Sequence, residues 1–217
     1  MSEKAKVAII YYSSTGHAYQ LAKAYEEGAK AAGAEVRVRR VGELAPQAAI
    51  DSNPAWKAHA EATKNVPVAS LDDLEWANGY VFGSPTRYGS VASQMKQFID
   101  GASSLWMQGK LANKAVTAFA GAMNVQGGQI NTIQNIYNVM QHWGAIIVPP
   151  GYTDPSIYAA GGSPYGIVYH TGGFEPIQLP EEVLAAARYM GGRIARFASV
   201  LHSNIATLVP EAAASRN

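Results

Sequence analysis

The sequence predicts an open α/β domain, doubly wound around a five-stranded parallel sheet with helices on both faces. Three observations predict it. Apolar runs of strand length alternate with segments whose apolar residues recur at helical spacing. The first, third and fourth of those runs each end in a loop of small residues. No internal repeat or linker divides the chain. One domain is therefore expected over residues 1–204, carrying a loop-rich insertion at about 150–178, with a C-terminal tail at 205–217.

The elements follow in order. "KVAIIYY" (6–12) reads as a first, buried strand. Ala18, Leu21, Ala22, Tyr25 and Ala29 then share one face of a helix that ends near Gly33. "EVRVRRV" (35–41) alternates with period two and predicts a second strand with one wetter face. Residues 42–69 read as irregular, with Pro46, Pro54 and Pro67 as breakers. "SLDDLEWA" (70–77) is a short capped helix, and "GYVFGSP" (79–85) a third strand. Ser90 is a good N-cap for a helix that carries Val91, Met95 and Phe98 on one face. "KAVTAFAG" (114–121) is a fourth strand. Ile130, Ile133, Tyr137 and Met140 mark a helix up to Gly144, and "AIIVPPG" (145–151) is a fifth strand. Residues 150–178 are rich in glycine and proline and read as loop. A final helix over 180–204 opens with Pro180 and two glutamates and sets apolar residues at 183, 187, 190, 194, 197 and 201.

Composition narrows the function classes. The 217 residues are 48% hydrophobic and 15% charged, the balance of an ordinary globular protein. A net charge of +1 gives no basic footprint for nucleic acid. With no cysteine, disulfides, thiolate metal sites and thiol chemistry are excluded. The apolar run near the start lacks a signal-peptide cleavage region and is too short to span a bilayer. A soluble, cytoplasmic protein without membrane insertion is expected.

The chemistry concentrates in the loops. After the first strand comes "SSTGHA" (13–18), where a helix N-terminus offers unpaired N–H groups, Ser13, Ser14 and Thr15 add hydroxyls, and Gly16 frees the backbone. Such a turn either only caps a helix or cradles a phosphate without Lys or Arg. There is no G-x-G-x-x-G and no G-x-x-x-x-G-K-[ST], so neither a Rossmann dinucleotide loop nor a P-loop is present. "FGSPTRYGS" follows the third strand and "AGAMNVQGGQ" (120–129) the fourth. All three loops fall on the carboxyl edge of the sheet, where open α/β sheets bind ligands. That geometry suits a flat ring with a phosphorylated tail, the phosphate in the first loop and the ring between the other two.

Longer motifs make the reading specific. "YYSSTGHAYQLAKAYEEGA", "GSPTRYGSVASQMKQFID", "SSLWMQGKLANK", "HWGAIIVPPGY" and "GGSPYG" resemble, in register over nearly the whole chain, the flavodoxin-like WrbA family of NAD(P)H:quinone oxidoreductases. The resemblance implies FMN as cofactor, NADH or NADPH as reductant and quinones as acceptors. It also implies a homotetramer in which the pocket over the flavin is shared between subunits. It places Ser13, Ser14, Gly16, His17 and Ala18 on the FMN phosphate, mostly through N–H groups. Thr15 stands where the family contacts the nicotinamide nucleotide, usually with a larger aromatic residue. Pro85, Thr86, Arg87, Tyr88 and Gly89 match the ring-binding loop. Gly121, Ala122, Met123, Asn124, Val125 and Gln126 match a third flavin loop, here one residue longer and without its usual run of hydroxyls. Trp106 and His142 match residues around the substrate end of the flavin, and His142 is the one candidate for orienting substrate or relaying a proton. "GGSPYG" (161–166) is expected to contact substrate or a neighbouring subunit. Two other readings compete with a quinone reductase: a flavodoxin-type electron carrier, which the charge of +1 and the long insertion disfavour, and a non-enzymatic regulatory or scaffold protein.

Overall fold

The structure is a computed structural model describing residues 4–173 and 176–208. The first strand, β1 (Lys6–Tyr11), lies inside a sheet, with a strand on either side, and buries both faces. Val7, Ile9 and Tyr11 point to one core, and Ala8 and Ile10 to the other. Full burial of an Ile contributes about 1.5–3 kcal/mol, so strands of this kind anchor the fold. Helix α1 (His17–Ala31) follows and covers the first face. Strand β2 (Glu35–Arg40) pairs parallel to β1 at the edge of the sheet. Its wetter face is held by charge: Arg37 and Arg39 meet the buried carboxylate of Asp73 at 3.2 and 3.0 Å.

Residues 42–69 are not irregular. They contain α2 (Gln47–Asp51) and α3 (Pro54–Ala62). The prolines read as breakers are starters: Pro46 is the N-cap of α2, and Pro54 occupies the first turn of α3. There the missing N–H costs nothing and the fixed φ suits the helix. The side chain of Asn53 caps α3 by accepting from Trp56 N–H at 3.0 Å. The next helix, α4 (Leu71–Trp76), carries the expected cap at Ser70, with Asp73 completing a capping box.

Strand β3 (Gly79–Arg87) pairs parallel to β1 on its other side. It then folds back through the short β4 (Ser90–Val91), which pairs antiparallel with Thr86 and Arg87. Ser90 is therefore a strand residue and not the expected N-cap. Helix α5 (Ser93–Asp100) starts after Ala92, whose N–H donates to the buried hydroxyl of Ser84 at 3.0 Å. Helix α6 (Ser103–Met107) leads to β5 (Ala115–Ala122), parallel to β3, and then to α7 (Gln129–Trp143).

The fifth strand position is split. Only β6 (Ile146–Ile147) pairs with the start of β5, and Pro149 and Pro150 stop it. The chain leaves, forms α8 (Pro155–Ala159), and returns as β7 (Ile167–His170) to pair with the second half of β5. Residues 150–178 thus contain a helix and a strand, and five strand positions hold the parallel sheet in the order β2-β1-β3-β5-β6, with β7 completing the last. Helix α9 (Glu181–Leu208) closes the described chain, continuing into the segment expected as a tail; residues 209–217 lie outside the described residues. Val183, Ala187, Met190 and Ile194 are buried as expected, but Phe197 is exposed and lies under the Arg193 guanidinium. Helices α1 and α9 pack on one face of the sheet and α4 to α7 on the other. Among the described residues no helix is long and apolar enough to cross a membrane.

Candidate active site

The order 2-1-3 places a switch in winding direction between β1 and β3, and the crevice of such a fold lies at the carboxyl ends of those strands. The structure has a crevice of about 630 Å³ there, within the usual size of a small-molecule site. Ser13, Ser14, Thr15, His17 and Ala18 form one end. Pro85, Thr86, Arg87 and Tyr88 line a second side, and Gly121, Ala122, Met123 and Asn124 a third.

The first loop is built to hold an anion. Gly16 is the N-cap of α1 with φ +98°, a left-handed conformation that costs other residues about 1–2 kcal/mol, and no side chain caps this helix. The Gly16 N–H is taken by the Ser13 hydroxyl at 3.0 Å. Among the described residues, the N–H groups of Ser14, Thr15, His17 and Ala18 have no protein acceptor. Four open donors at the positive end of a 15-residue helix fit a phosphate. Among the described residues no Asp or Glu lines the crevice to repel one. The residues present therefore fit the phosphate of FMN.

His17 contributes more than its main chain. Its ring is buried, and Nε2 accepts from the Ile177 N–H at 3.1 Å. That leaves the proton on Nδ1, which donates to the Thr15 hydroxyl at 3.1 Å. Burial pushes the His17 imidazole below its ordinary value, so the ring stays neutral beside the helix N-terminus. Gln20 adds two bonds to the same strap, accepting from Leu179 N–H and donating to the Ile177 carbonyl at 2.9 Å each. Ile177 and Leu179 are thereby tied to α1.

The second loop is a hairpin tip. Tyr88 and Gly89 both have positive φ, 52° and 78°, the pattern of a type I′ turn between β3 and β4. The turn holds the Tyr88 ring fully in solvent at the rim of the crevice. Arg87 is also exposed, and its guanidinium opposes the upward push that burial exerts on the Tyr169 phenol in the wall. The third loop is drawn against the second at Gly128, which has φ +94° and where a Cβ would stand 2.8 Å from the Cα of Gly89. A hydrogen bond of 2.7 Å between the hydroxyls of Thr132 and Thr86 locks the two loops together.

Not every expected residue is brought here. Gly16 and Gly89 shape their turns without lining the crevice, and Val125 and Gln126 face solvent outside it. Trp106 and His142 are together but elsewhere: the Trp106 indole N–H donates to the His142 carbonyl at 2.8 Å. Helix α7 starts beside the crevice and ends where β5 begins, with Gly144 accepting from Asn113 N–H. Its 15 residues span about 22 Å, so the pair stands at the opposite edge of the same chain's sheet. Residues 161–166 join α8 to β7 and do not line the crevice. Asn53, Trp56, Gly127, Tyr169, Thr171 and Gly173 do line it and were not foreseen as site residues. The Asn53-Pro54 cap was the available signal for the first two. Period-two spacing in "IVYH" was the signal for Tyr169.

Known proteins share the sequence and the fold. Residues 5–156 match the family model described as NADPH-dependent FMN reductase. A protein of Deinococcus radiodurans named NAD(P)H dehydrogenase (quinone) is 53% identical over 76% of this chain and 83% of its own length. One of the same name from Sinorhizobium fredii is 40% identical over 91% of this chain and 98% of its own. Among solved structures, a WrbA-like flavodoxin from Agrobacterium tumefaciens superposes with a TM-score of 0.64 at 21% identity, covering 89% of this chain and 97% of that one. An archaeal flavodoxin, at 18% identity, gives 0.56 over 89% and 98%. These likenesses identify the fold as flavodoxin-like. With its family model matched over residues 5–156, more than half of the chain, the protein belongs to the NADPH-dependent FMN reductase family.

Proposed function

We propose that this protein reduces quinones to hydroquinones at the expense of NADH or NADPH, with FMN held in the crevice. The observation that carries the reading is the row of open N–H groups at Ser14, Thr15, His17 and Ala18, facing one crevice with the ring loops on its other sides. Bound there, FMN would supply two-electron chemistry between a nicotinamide and a quinone. Overall, the hydride of NAD(P)H and one proton convert the quinone to the hydroquinone, and NAD(P)+ leaves. The chain's own residues bind and orient. The first loop fixes the phosphate through its backbone; Thr86, locked to Thr132, fixes the loop beside the ring; and Arg87 places a cation at the rim. The chain has no cysteine to act as a second redox group.

Relatives named NAD(P)H dehydrogenase (quinone) at 40–53% identity support the enzyme reading over an electron carrier or a scaffold. We further propose a cytoplasmic homotetramer. The separation of Trp106 and His142 from their own crevice supports it, since a neighbouring copy could bring them to this one. The segment 161–166 is assigned to contact between copies.

One crevice implies that the two flat substrates take turns. Initial rates over a grid of NADPH and quinone concentrations should give parallel double-reciprocal lines; intersecting lines would mean separate pockets. Heat release should yield FMN by mass, because the crevice offers a single phosphate loop, and recovery of FAD would overturn the assignment.

A further inference from the structure

Strand β7 returns beside β5 and sets Tyr169 opposite Gly121, the two residues paired in register. The pair fits because Gly121 has no side chain. A Cβ there would stand 1.9 Å from Cζ of the Tyr169 ring and 2.2 and 2.3 Å from its two Cε atoms. The hydroxyl-bearing end of the ring therefore lies across the backbone at the end of β5, in the crevice wall. Its aromatic neighbour is the His17 ring at the start of α1, 6.3 Å away between centroids. Tyr169 also belongs to the core that α1 and α9 cover, not to the one under α7. It thus enters the crevice from the side of the phosphate loop, whereas the two ring loops are locked together from α7 through Thr132.

Tyr169 is only 5% exposed, and among the described residues its hydroxyl has no hydrogen-bond partner. The group that is engaged is its backbone carbonyl, which accepts from Gln129 Nε2 at 3.4 Å. Unlike the hydroxyl of Tyr11, that of Tyr169 is not sealed off from solvent, and the space beside it is the crevice. A donor this buried is costly to leave unpaired, and native proteins rarely keep one idle. Burial holds the phenol above its ordinary value against the opposing Arg87 guanidinium, so it keeps its proton at neutral pH and can donate.

We propose that the Tyr169 hydroxyl donates a hydrogen bond to an oxygen of the ribityl phosphate tail of FMN, between the phosphate loop and the ring loops. This rests on the reading of the crevice as an FMN site and adds a ligand from β7, a strand outside all three loops. Gly121 then serves the site by making room for that ring.

Tyr169→Phe keeps the ring on Gly121 and removes only the hydroxyl. The full-length protein, stripped of flavin, is titrated with FMN by fluorescence quenching as wild type and as Tyr169→Phe, and the melting temperature of each flavin-free protein is measured. A hydrogen bond lost to the tail corresponds to about fivefold or more in affinity. FMN binding should fall by that factor, while the flavin-free variant melts at the same temperature or higher, because the hydroxyl had no protein partner to lose. At saturating FMN the visible absorption bands should coincide in the two proteins, since the tail is not part of the chromophore. FMN affinity within about twofold of wild type would remove the hydroxyl from the site. A shifted band would move it to the flavin ring, and a flavin-free variant that melts lower would reduce Tyr169 to packing; either overturns the assignment. A wild type that binds no FMN overturns the reading of the crevice itself, and this proposal with it.

Discussion

The two ends of the crevice are built from different material. At the β1–α1 end the ligand meets backbone: open N–H groups, a glycine held at φ +98°, and a histidine committed to bracing a strap. At the β3–β5 end it meets the exposed side chains of Arg87, Tyr88 and Met123. Backbone donors fixed by a helix cost no reorganisation when an anion arrives, which suits a group that stays. Exposed side chains at a rim suit partners that come and go. The contrast separates cofactor retention from substrate exchange, and it can be broken at either end.

The largest effect should come from Gly16→Val. A β-branched residue at this φ is strained by about 1–3 kcal/mol, and its Cβ would press on the His59 ring. We expect FMN affinity to fall about 100-fold in a flavin titration. Ser14→Ala keeps the backbone and removes one hydroxyl; a hydrogen bond to an anion is worth about 1.5–3 kcal/mol, so about tenfold is expected if the hydroxyl reaches the phosphate. If Ser14→Ala cost as much as Gly16→Val, the claim that conformation outranks side chains at this end would be wrong.

This end was also the more legible in sequence. Small polar residues between a buried strand and an amphipathic helix announce a phosphate turn with the local chemistry complete, because every group that matters lies within six residues. The capping of α4 was legible for the same reason. What was hidden depended on context. Pro46 and Pro54 look alike as breakers and as first-turn residues, and only the Asn53 cap distinguishes them, so α3 and with it Trp56 and His59 were lost. The fifth strand was read as continuous because nothing local says that Ile167–His170 returns to complete an edge that Pro149 and Pro150 interrupt. Trp106 and His142 matched a motif, but only the length of α7 shows how far they stand from their own crevice.

The strap gives a third, smaller effect with a defined sign. The His17 ring is neutral in the fold and its value is lowered by burial. The unfolded chain, with a value near about 6.5, takes up the proton more readily. The stability His17 lends is thus fully present above about pH 6.5 and is lost as pH falls toward the lowered folded value. Protonation also removes the lone pair that accepts from Ile177 N–H. Protection of the Ile177 amide against hydrogen exchange, corrected for intrinsic rates, should drop on acidification below that range, and His17→Gln should abolish the drop. Protection that stayed flat in the wild type would mean the strap is held by Gln20 alone.

The smallest effect on flavin binding is expected from Trp106→Ala, and it sharpens the comparison most. Trp106 is half-exposed and bonded to the His142 carbonyl at the far edge of its own sheet, about 20 Å along α7 from the crevice. Its loss should leave FMN affinity within about twofold, the level of a surface change away from any ligand. Quinone turnover is a different matter if a neighbouring copy presents Trp106 to the crevice. Then Trp106→Ala should lower turnover in the assembled protein while each chain keeps its flavin. Mixing decides between a role in the neighbour's site and a general loss of stability. Trp106→Ala chains bind flavin but lack the tryptophan, and Gly16→Val chains keep the tryptophan but bind flavin poorly. Co-refolded, they should recover part of the wild-type rate, because a flavin on the first kind of chain can face a tryptophan from the second. Recovery no greater than the sum of the two parents would confine Trp106 to its own chain, and the exposed rim at Arg87 and Tyr88 would then be complete within one copy.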